Sequence, residues 1–311
     1  GTSAAALEEA DLSVALDAGV RLGSQHSLAA ELANRALRDL VAFVDTVPQA
    51  TTLDAAVAFL TSPAGGAHVA RRGATVDLDT GECSACHQRL ESVEPTPAQL
   101  ATILKETQSL APTQFEATKR QQWASFEAWV AEQTASRKFD AVVDGANVAY
   151  YRSSSGLENP GKGGPRPVYD QTDAVFDELR RRGRRPVVFL HARHFHRKGV
   201  PEELQQKWRR EGALYVVPSG HNDDVFWLYF TLQLGPGAIL VSNDQMRDHR
   251  FEMLQSTKAF LRWRERHQCN FDLYGTSASA ATAISAHVYP PKLVSVQAQA
   301  PNPAVGRTGW H

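Results

Sequence analysis

The sequence predicts an α/β fold with a parallel sheet in its second half, preceded by an α-helical segment. Three observations predict it. From Phe139 onward, short β-branched or apolar runs alternate with stretches of helical length, the pattern of βαβ units. The first 73 residues are rich in Ala and Leu at helical spacing and carry little aromatic weight. Between the two lies a Cys-x-x-Cys pair, Cys83 and Cys86.

Taken in order, the spacings Leu28-Leu32-Ala36-Leu40 and Leu53-Ala56-Val57-Leu60 predict two or three helices before Gly73. They could end a helical array, but no second copy of the pattern establishes a repeat. Residues 74–90, ATVDLDTGECSACHQRL, give a short strand-like alternation and then the Cys pair. Past Pro95-Thr96-Pro97, the positions Phe115, Lys119, Trp123, Phe126 and Val130 recur at three and four residues. Their apolar members predict one buried stripe. Strands are expected at 140–144, 186–190, 214–217 and 238–241, with helices at 172–182, 202–210, 223–232 and from about Gln245. Residues 287–299 read as strands returning elsewhere.

Composition narrows the class. With 42% hydrophobic and 22% charged residues the chain is ordinary globular protein. No run approaches the ~18 uninterrupted apolar residues of a membrane-spanning helix. Three cysteines, Cys83, Cys86 and Cys269, make no disulfide framework, which points to a reducing compartment. The opening Gly1-Thr2-Ser3 reads as a processed end from which any targeting peptide has been removed.

The formal net charge of −1 hides an asymmetry, −7 over residues 1–110 against +6 over 111–311. Residues 180–210 alone hold 11 of the basic side chains, with His191, His194 and His196 among them. Such density suits a polyphosphate, and Arg184, Arg185 and Arg193 are the candidate RNA contacts. A set of solvated helix ends accounts for the same charges equally well.

The chemistry is expected where strands end. In an open parallel sheet the functional crevice lies outside the carboxyl ends of the strands. Asp144 ends the first strand in VVDGANVAYY, Asp223 and Asp224 follow the third in HNDD, and Asp244 follows the fourth in VSND. Four carboxylates crowded on one edge repel one another unless a cation compensates, and Mg²⁺ or Mn²⁺ prefers oxygen ligands. Two such ions can activate water and stabilise the leaving oxygen of a phosphodiester. The plain alternative is helix capping, which suits Asp223 or Asp224 and Asp244 but does not explain Asp144 or the doublet. Gly145 would let backbone or substrate approach, and Asn147 could orient Asp144; either could equally be turn chemistry.

These motifs resemble the NYN nuclease domain, a PIN-like metallonuclease fold, and within it the protein-only RNase P enzymes. The resemblance runs from about Thr75 to His311 and includes VVDGANVAYY, HNDD, VSNDQMRDH and the Cys pair. It implies Mg²⁺-dependent endonucleolytic removal of the 5′ leader from precursor tRNA, with Asp144, Asp223, Asp224 and Asp244 holding the metal. Asp248 and His249 match the same motif as supports of the ligands or as phosphate contacts. The family also grips tRNA with an array of pentatricopeptide helical repeats, a pattern the first 73 residues do not match. It further implies a mitochondrial, chloroplast or nuclear location, with accessory proteins an open matter.

Cys83 and Cys86 offer two thiolates at the spacing that closes on one tetrahedral Zn²⁺. Two core cysteines on a turn are the alternative. The family takes its remaining zinc ligands from a C-terminal His and Cys, and the ending Thr308-Gly309-Trp310-His311 resembles the stretch carrying that His. His311 would thus be the third ligand, and the fourth would lie beyond it in the chain unless Cys269 or water substitutes. The zinc would be structural. The expected organisation is then a helical segment over 1–73, a central zinc-binding domain over 74–138 with 285–311, and a nuclease domain over 139–284. Two further functions stay open: an NYN endoribonuclease acting on mRNA or rRNA, against which the Cys pair and terminal His argue, and an inactive RNA-binding scaffold, against which four intact aspartates argue.

Overall fold

Five parallel strands form the sheet that organises the second half of the chain: β1 (Ala141–Asp144), β2 (Pro186–His191), β3 (Leu214–Val217), β4 (Ile239–Val241) and β5 (Gln268–Cys269). Their order is β3-β2-β1-β4-β5. Asp144 pairs with Phe189 and Val143 with both Val188 and Val241, so the ends of β1 and β4 lie side by side. The order reverses direction there, between β1 and β4, the place where ligands bind in such sheets. In this computed structural model the described residues are 9–42, 49–70, 73–77, 80–90, 92–110, 117–151, 166–196, 199–246, 257–275, 284–291 and 293–294. They fall into two units, 94–291 and 1–93 with 292–311.

Within the larger unit, alternation along β2 shows how the layers form. Side chains of successive strand residues point to opposite faces. Phe189 meets Phe126, Trp129 and Phe230, placing helices α5 (Ala117–Ala135) and α9 (Asp223–Leu234) on its face. Val188 and Leu190 face the other way, against Gly145 at the start of α6 (Gly145–Tyr150). Helix α9 is buried all round from Val225 to Leu232, which is why its sequence shows no polar stripe. The stripe expected on α5 is present as Trp123, Phe126 and Val130; Phe115 lies outside the described residues. Helices α4 (Pro97–Ser109) and α5, expected beside the Cys pair, instead pack within this unit's core, with α4 opened by a capping box between Thr96 and Gln99.

The remaining helices α7 (Tyr169–Arg181), α8 (Glu202–Arg210) and α10 (Thr257–His267) match the expected alternation, except that Gln245 and Met246 are not helical. Three features were not expected: the short helix α6 immediately after β1, the edge strand β5, and the antiparallel pairing of β6 (Phe271–Tyr274) with β7 (Ser285–Val288), of which only the end of β7 falls in the stretch 287–299 read as strand.

The smaller unit contains α1 (Glu9–Leu22), α2 (Ser27–Ala42) and α3 (Ala50–Thr61) around Leu12, Leu16, Ala33, Ala36, Leu37, Leu40, Ala55, Ala56 and Phe59. Leu28 and Leu32, expected inside, are exposed, as is Leu53. The contact runs instead through alanines and Gly19, where an added Cβ would lie 2.4 Å from that of Ala33. Small residues let the helices approach closely, so the buried faces are rotated by about one residue from the leucine spacing. Past α3, the Cys segment folds back on itself through the bridges Val76–Cys83 and Glu82–Arg89, and Ser92 pairs with Val294 near the chain's end.

Candidate active site

The four aspartates sit at the carboxyl edge of the sheet, on three structural supports. Asp144 is the last residue of β1 and also the N-cap of α6: its Oδ1 accepts from the Asn147 backbone N–H at 3.1 Å. Capping, set aside for this residue on sequence grounds, is therefore one of its roles. Its Oδ2 accepts from the Ser242 hydroxyl at 2.9 Å, and the Ser242 oxygen in turn accepts from the Asp244 N–H at 3.1 Å. Ser242 thus links the Asp144 carboxylate to the backbone of Asp244. Sequence reasoning passed over it, although the first residue after an apolar strand was signal enough.

Asp223 and Asp224 occupy the first turn of α9, where helix N–H groups favour negative charge. Neither is the cap; Asn222 is, accepting from the Asp224 N–H at 2.9 Å. That frees both carboxylates from capping and explains the doublet. Asp244 lies in a loop held from several sides. Its Oδ1 accepts from the Met246 N–H at 3.0 Å. Gln268 donates to the carbonyls of Ser242 and Asp244, at 2.6 and 2.7 Å. Asn243 donates its N–H to the Asn147 side chain at 2.9 Å and exchanges two hydrogen bonds with the backbone of Phe271. So the Asn147 side chain braces the Asp244 loop, while only its backbone contacts Asp144. Met246, buried, has φ 51°, a conformation rarely adopted by a non-glycine residue and stabilised here by its surroundings.

Gly145 owes its presence to the fold. An added Cβ would lie 2.7 Å from Leu190 Cγ and 2.9 Å from both the Phe189 carbonyl and Val188 Cγ1. The close approach is of α6 to β2, not of a substrate.

Electrostatics set two carboxyls apart. Burial, reinforced by the charges of Asp224 and Asp223 and opposed by the hydrogen bonds from Asn147 and Ser242, pushes Asp144 up to about 8. Burial, then the charges of Asp223 and Asp244, pushes Asp224 up to about 7, against an indole hydrogen bond from Trp227 and the charge of Arg193. The four groups therefore act on one another. Among the described residues, however, no three His, Cys, Asp or Glu side chains are gathered tightly enough to hold a metal ion as they stand. Asp248, His249 and His311 lie outside the described residues.

The three candidate RNA contacts separate. Arg193, exposed in the 3-10 turn Ala192–His194 after β2, lies within electrostatic reach of Asp224. Arg184 and Arg185 precede β2 and so occupy the opposite end of the sheet, ~20 Å away along a six-residue strand. Arg184 donates to the Gly237 carbonyl at 3.0 Å, and Arg185 to the Arg137 carbonyl and to Asp140. Much of the basic density is likewise paired internally: Arg181 and Arg182 with Glu178, Arg180 with Glu211, Lys207 with Asp173 and Asp177. Among the histidines, His194 is buried and held neutral, pushed down to about 4 chiefly by burial and then by Arg193.

In the smaller unit, Cys83 is buried and Cys86 exposed, and neither forms a disulfide. The turn between them is closed by the His87 N–H to the Cys83 carbonyl at 2.8 Å, and the His87 ring turns to Glu82 at 3.0 Å. Cys269 is a core residue of β5 whose thiol burial pushes up to about 12, the surroundings of an unreactive thiol.

Comparison with known proteins shows the family and the fold. Proteinaceous RNase P 2 of Arabidopsis thaliana is 31% identical over 204 residues, 62% of this chain and 36% of that protein. The chloroplastic/mitochondrial Proteinaceous RNase P 1 of the same plant is 29% identical over 227 residues, 70% of this chain and 35% of that one. The mitochondrial ribonuclease P catalytic subunit of Rattus norvegicus is 26% identical over 198 residues, 61% of this chain and 31% of the subunit. The chain thus spans about a third of the length of these relatives. The crystal structure of the Arabidopsis nuclear proteinaceous RNase P 2 superposes with a TM-score of 0.57 at 24% identity, covering 98% of this chain and 63% of that one, and shows the same fold. The family model for protein-only RNase P matches residues 78–301, well over half of the sequence, and the chain belongs to that family.

Proposed function

We propose that this chain carries the nuclease part of an endoribonuclease that removes the 5′ leader of precursor tRNA by Mg²⁺- or Mn²⁺-dependent phosphodiester hydrolysis. The observation that carries the proposal is the gathering of Asp144, Asp223, Asp224 and Asp244 at the sheet edge where the strand order reverses, with buried Asp144 and half-buried Asp224 pushed up to about 8 and about 7. A site that leaves acidic groups protonated near neutrality is short of positive charge.

The residues present fit a hard divalent cation in donor type, all oxygen, and in charge. Water and substrate phosphate would complete the shell of such an ion, so the carboxylates need not all bind it directly. When bound, the ion lowers the pKa of water and offsets the charge developing on the leaving oxygen. Asp144, Asp223, Asp224 and Asp244 would hold it. Asn147 and Ser242 keep Asp144 aimed out of β1, and the braced loop 242–246 does the same for Asp244. Arg193 meets a substrate phosphate beside Asp224, with Asp248 and His249 as further phosphate contacts or supports of the ligands. In the hydrolysis, water oxygen bonds to phosphorus, the bond to the 3′ oxygen of the leader breaks, and that oxygen takes up a proton. The mature tRNA keeps a 5′ phosphate.

In the smaller unit, Cys83, Cys86 and His311 would bind a structural Zn²⁺, supported by the return of Leu293 and Val294 to residues 92–93 just past the Cys turn. The compartment proposed is mitochondrion, chloroplast or nucleus. The deciding experiment incubates the protein with a 5′-extended precursor tRNA and Mg²⁺ and maps the cut. Cleavage at the mature 5′ end that EDTA abolishes is expected; no cut there, or a 5′ hydroxyl on the product, overturns the proposal.

A further inference from the structure

Arg193 is held at two points by its neighbours. Its backbone N–H donates to Nδ1 of His191 at 3.0 Å, and its Nε donates to Nε2 of His194 at 3.4 Å. The second bond fixes a proton elsewhere. A guanidinium nitrogen can only donate, so Nε2 of His194 must carry the lone pair and the ring proton must sit on Nδ1. Nδ1 lies 2.8 Å from the Tyr169 hydroxyl oxygen, which therefore accepts. Both partners are buried, His194 at 3% and Tyr169 at 6% exposure, and the Tyr150 ring packs across His194 at 6.1 Å. The His194 backbone is fastened as well, its carbonyl accepting from the Val200 N–H at 2.9 Å.

From this geometry we infer that His194 and Tyr169 are positioning residues, a buried pair that orients the Arg193 guanidinium for a phosphate of the RNA beside the aspartates. The inference rests on the nuclease reading above for its ligand. An unsupported arginine samples many rotamers, and fixing one of them lowers the entropy lost when a phosphate binds. Holding Nε from behind leaves the two terminal nitrogens facing away from His194, in the fork that meets two phosphate oxygens. The neutral ring suits the task, because an imidazolium could not accept from arginine; burial supplies that neutrality. Charge reaches both ways across the site: Arg193 acts on Asp224, and Asp223 acts on His194. The guanidinium therefore stands over the same edge as the carboxylates.

Two measurements test the pair. The first needs no activity: in a ¹⁵N spectrum, the Nε–H signal of Arg193, identified by its loss in Arg193→Lys, is expected to be protected from exchange in wild type and His194→Gln but not in His194→Phe. Gln keeps an acceptor for arginine and a donor for Tyr169, whereas Phe keeps only the shape. The second is single-turnover cleavage of precursor tRNA at matched folded fraction. Arg193→Gln is expected to cost about 100-fold, the scale of one lost transition-state donor. His194→Phe is expected to cost about tenfold. His194→Gln should recover most of that loss, and Arg193→Gln with His194→Phe should be no slower than Arg193→Gln alone. An unprotected Nε–H in wild type, or a His194→Phe loss undiminished in the Arg193→Gln background, would overturn the inference. If wild type fails to cut precursor tRNA, the nuclease reading falls while the spectrum still decides the positioning.

Discussion

Replacing Asp144 by Asn tests whether the site accepts a buried carboxyl at a cost that a cation removes. The side chain is 4% exposed, and burial, then the charges of Asp224 and Asp223, pushes it from 3.8 to about 8 despite hydrogen bonds from Asn147 and Ser242. In the unfolded chain the same carboxyl loses its proton near its ordinary value. Between about pH 4 and pH 8 the folded state therefore binds more protons, and stability falls as pH rises through that window. A group held at about 8 sets a ceiling of ~6 kcal/mol on this cost above pH 8. Asn removes the charge and keeps an oxygen for the Asn147 N–H. Its amide nitrogen, however, faces the Ser242 hydroxyl, a mismatch costing about 1 kcal/mol. Relaxation and water entry reduce such buried-charge penalties severalfold, so the net expectation is a gain of about 2 kcal/mol at pH 8, or roughly 4–8 °C in melting temperature.

The assay is thermal melting of both proteins in EDTA from pH 5 to pH 8, repeated with Mg²⁺. The gap should open as pH rises, and Mg²⁺ should raise wild type more than the variant and so narrow it. A gap that is the same at pH 5 and pH 8, or a variant less stable than wild type at pH 8, would refute the reasoning.

The other predictions follow from the same geometry. Asp223→Ala and Asp224→Ala should each lower single-turnover cleavage by ~10³-fold or more, with the double variant little worse, because residues acting as a unit are strongly non-additive. Gly145→Ala should destabilise the protein by about 1–3 kcal/mol in chemical denaturation, since the added methyl meets the β2 backbone at 2.9 Å. Replacing Arg184 and Arg185 together by Gln should leave the salt dependence of RNA binding unchanged, because both are engaged at the far end of the sheet; a slope lower by about 0.7–0.9 per residue would show them on the RNA backbone. Elemental analysis of full-length protein should find about one zinc per chain, and Cys83→Ala should lower both zinc content and melting temperature.

How much was legible depended on how local the cause is. Strands β1–β4 and the helices between them were readable because apolar period and length are local, whereas the two residues of β5 carry no period; the aspartates were readable because a parallel sheet brings its strand ends to one edge whatever the loops do. Helix α6 was hidden, since the six residues from Gly145 to Tyr150 are too few to carry a helical period; Asp144 and the β2 surface determine it instead. The leucine spacing on α2 misled because alanine contacts, not leucines, fill the close helix interface. Residues 180–210 misled for a related reason. A count of charges along a chain does not show which are paired, and Glu178, Glu211, Asp173 and Asp177 all lie just outside residues 180–210.

Asp144 shows why a choice between capping and catalysis can be a false one. A carboxylate at the end of a buried strand must be held rigidly if it is to meet a cation, and rigidity requires hydrogen bonds. The nearest donors are the N–H groups of the helix that follows, so the cap is the means of holding the group. With Asn147 on one oxygen and Ser242 on the other, Asp144 is fixed in direction. Yet burial keeps it short of positive charge, and the two bonds do not offset that. A purely structural cap would be satisfied by its donors and would ionise readily, as carboxylates accepting backbone N–H bonds do. One that burial keeps protonated near neutrality despite them is the group that the cation proposed above would relieve.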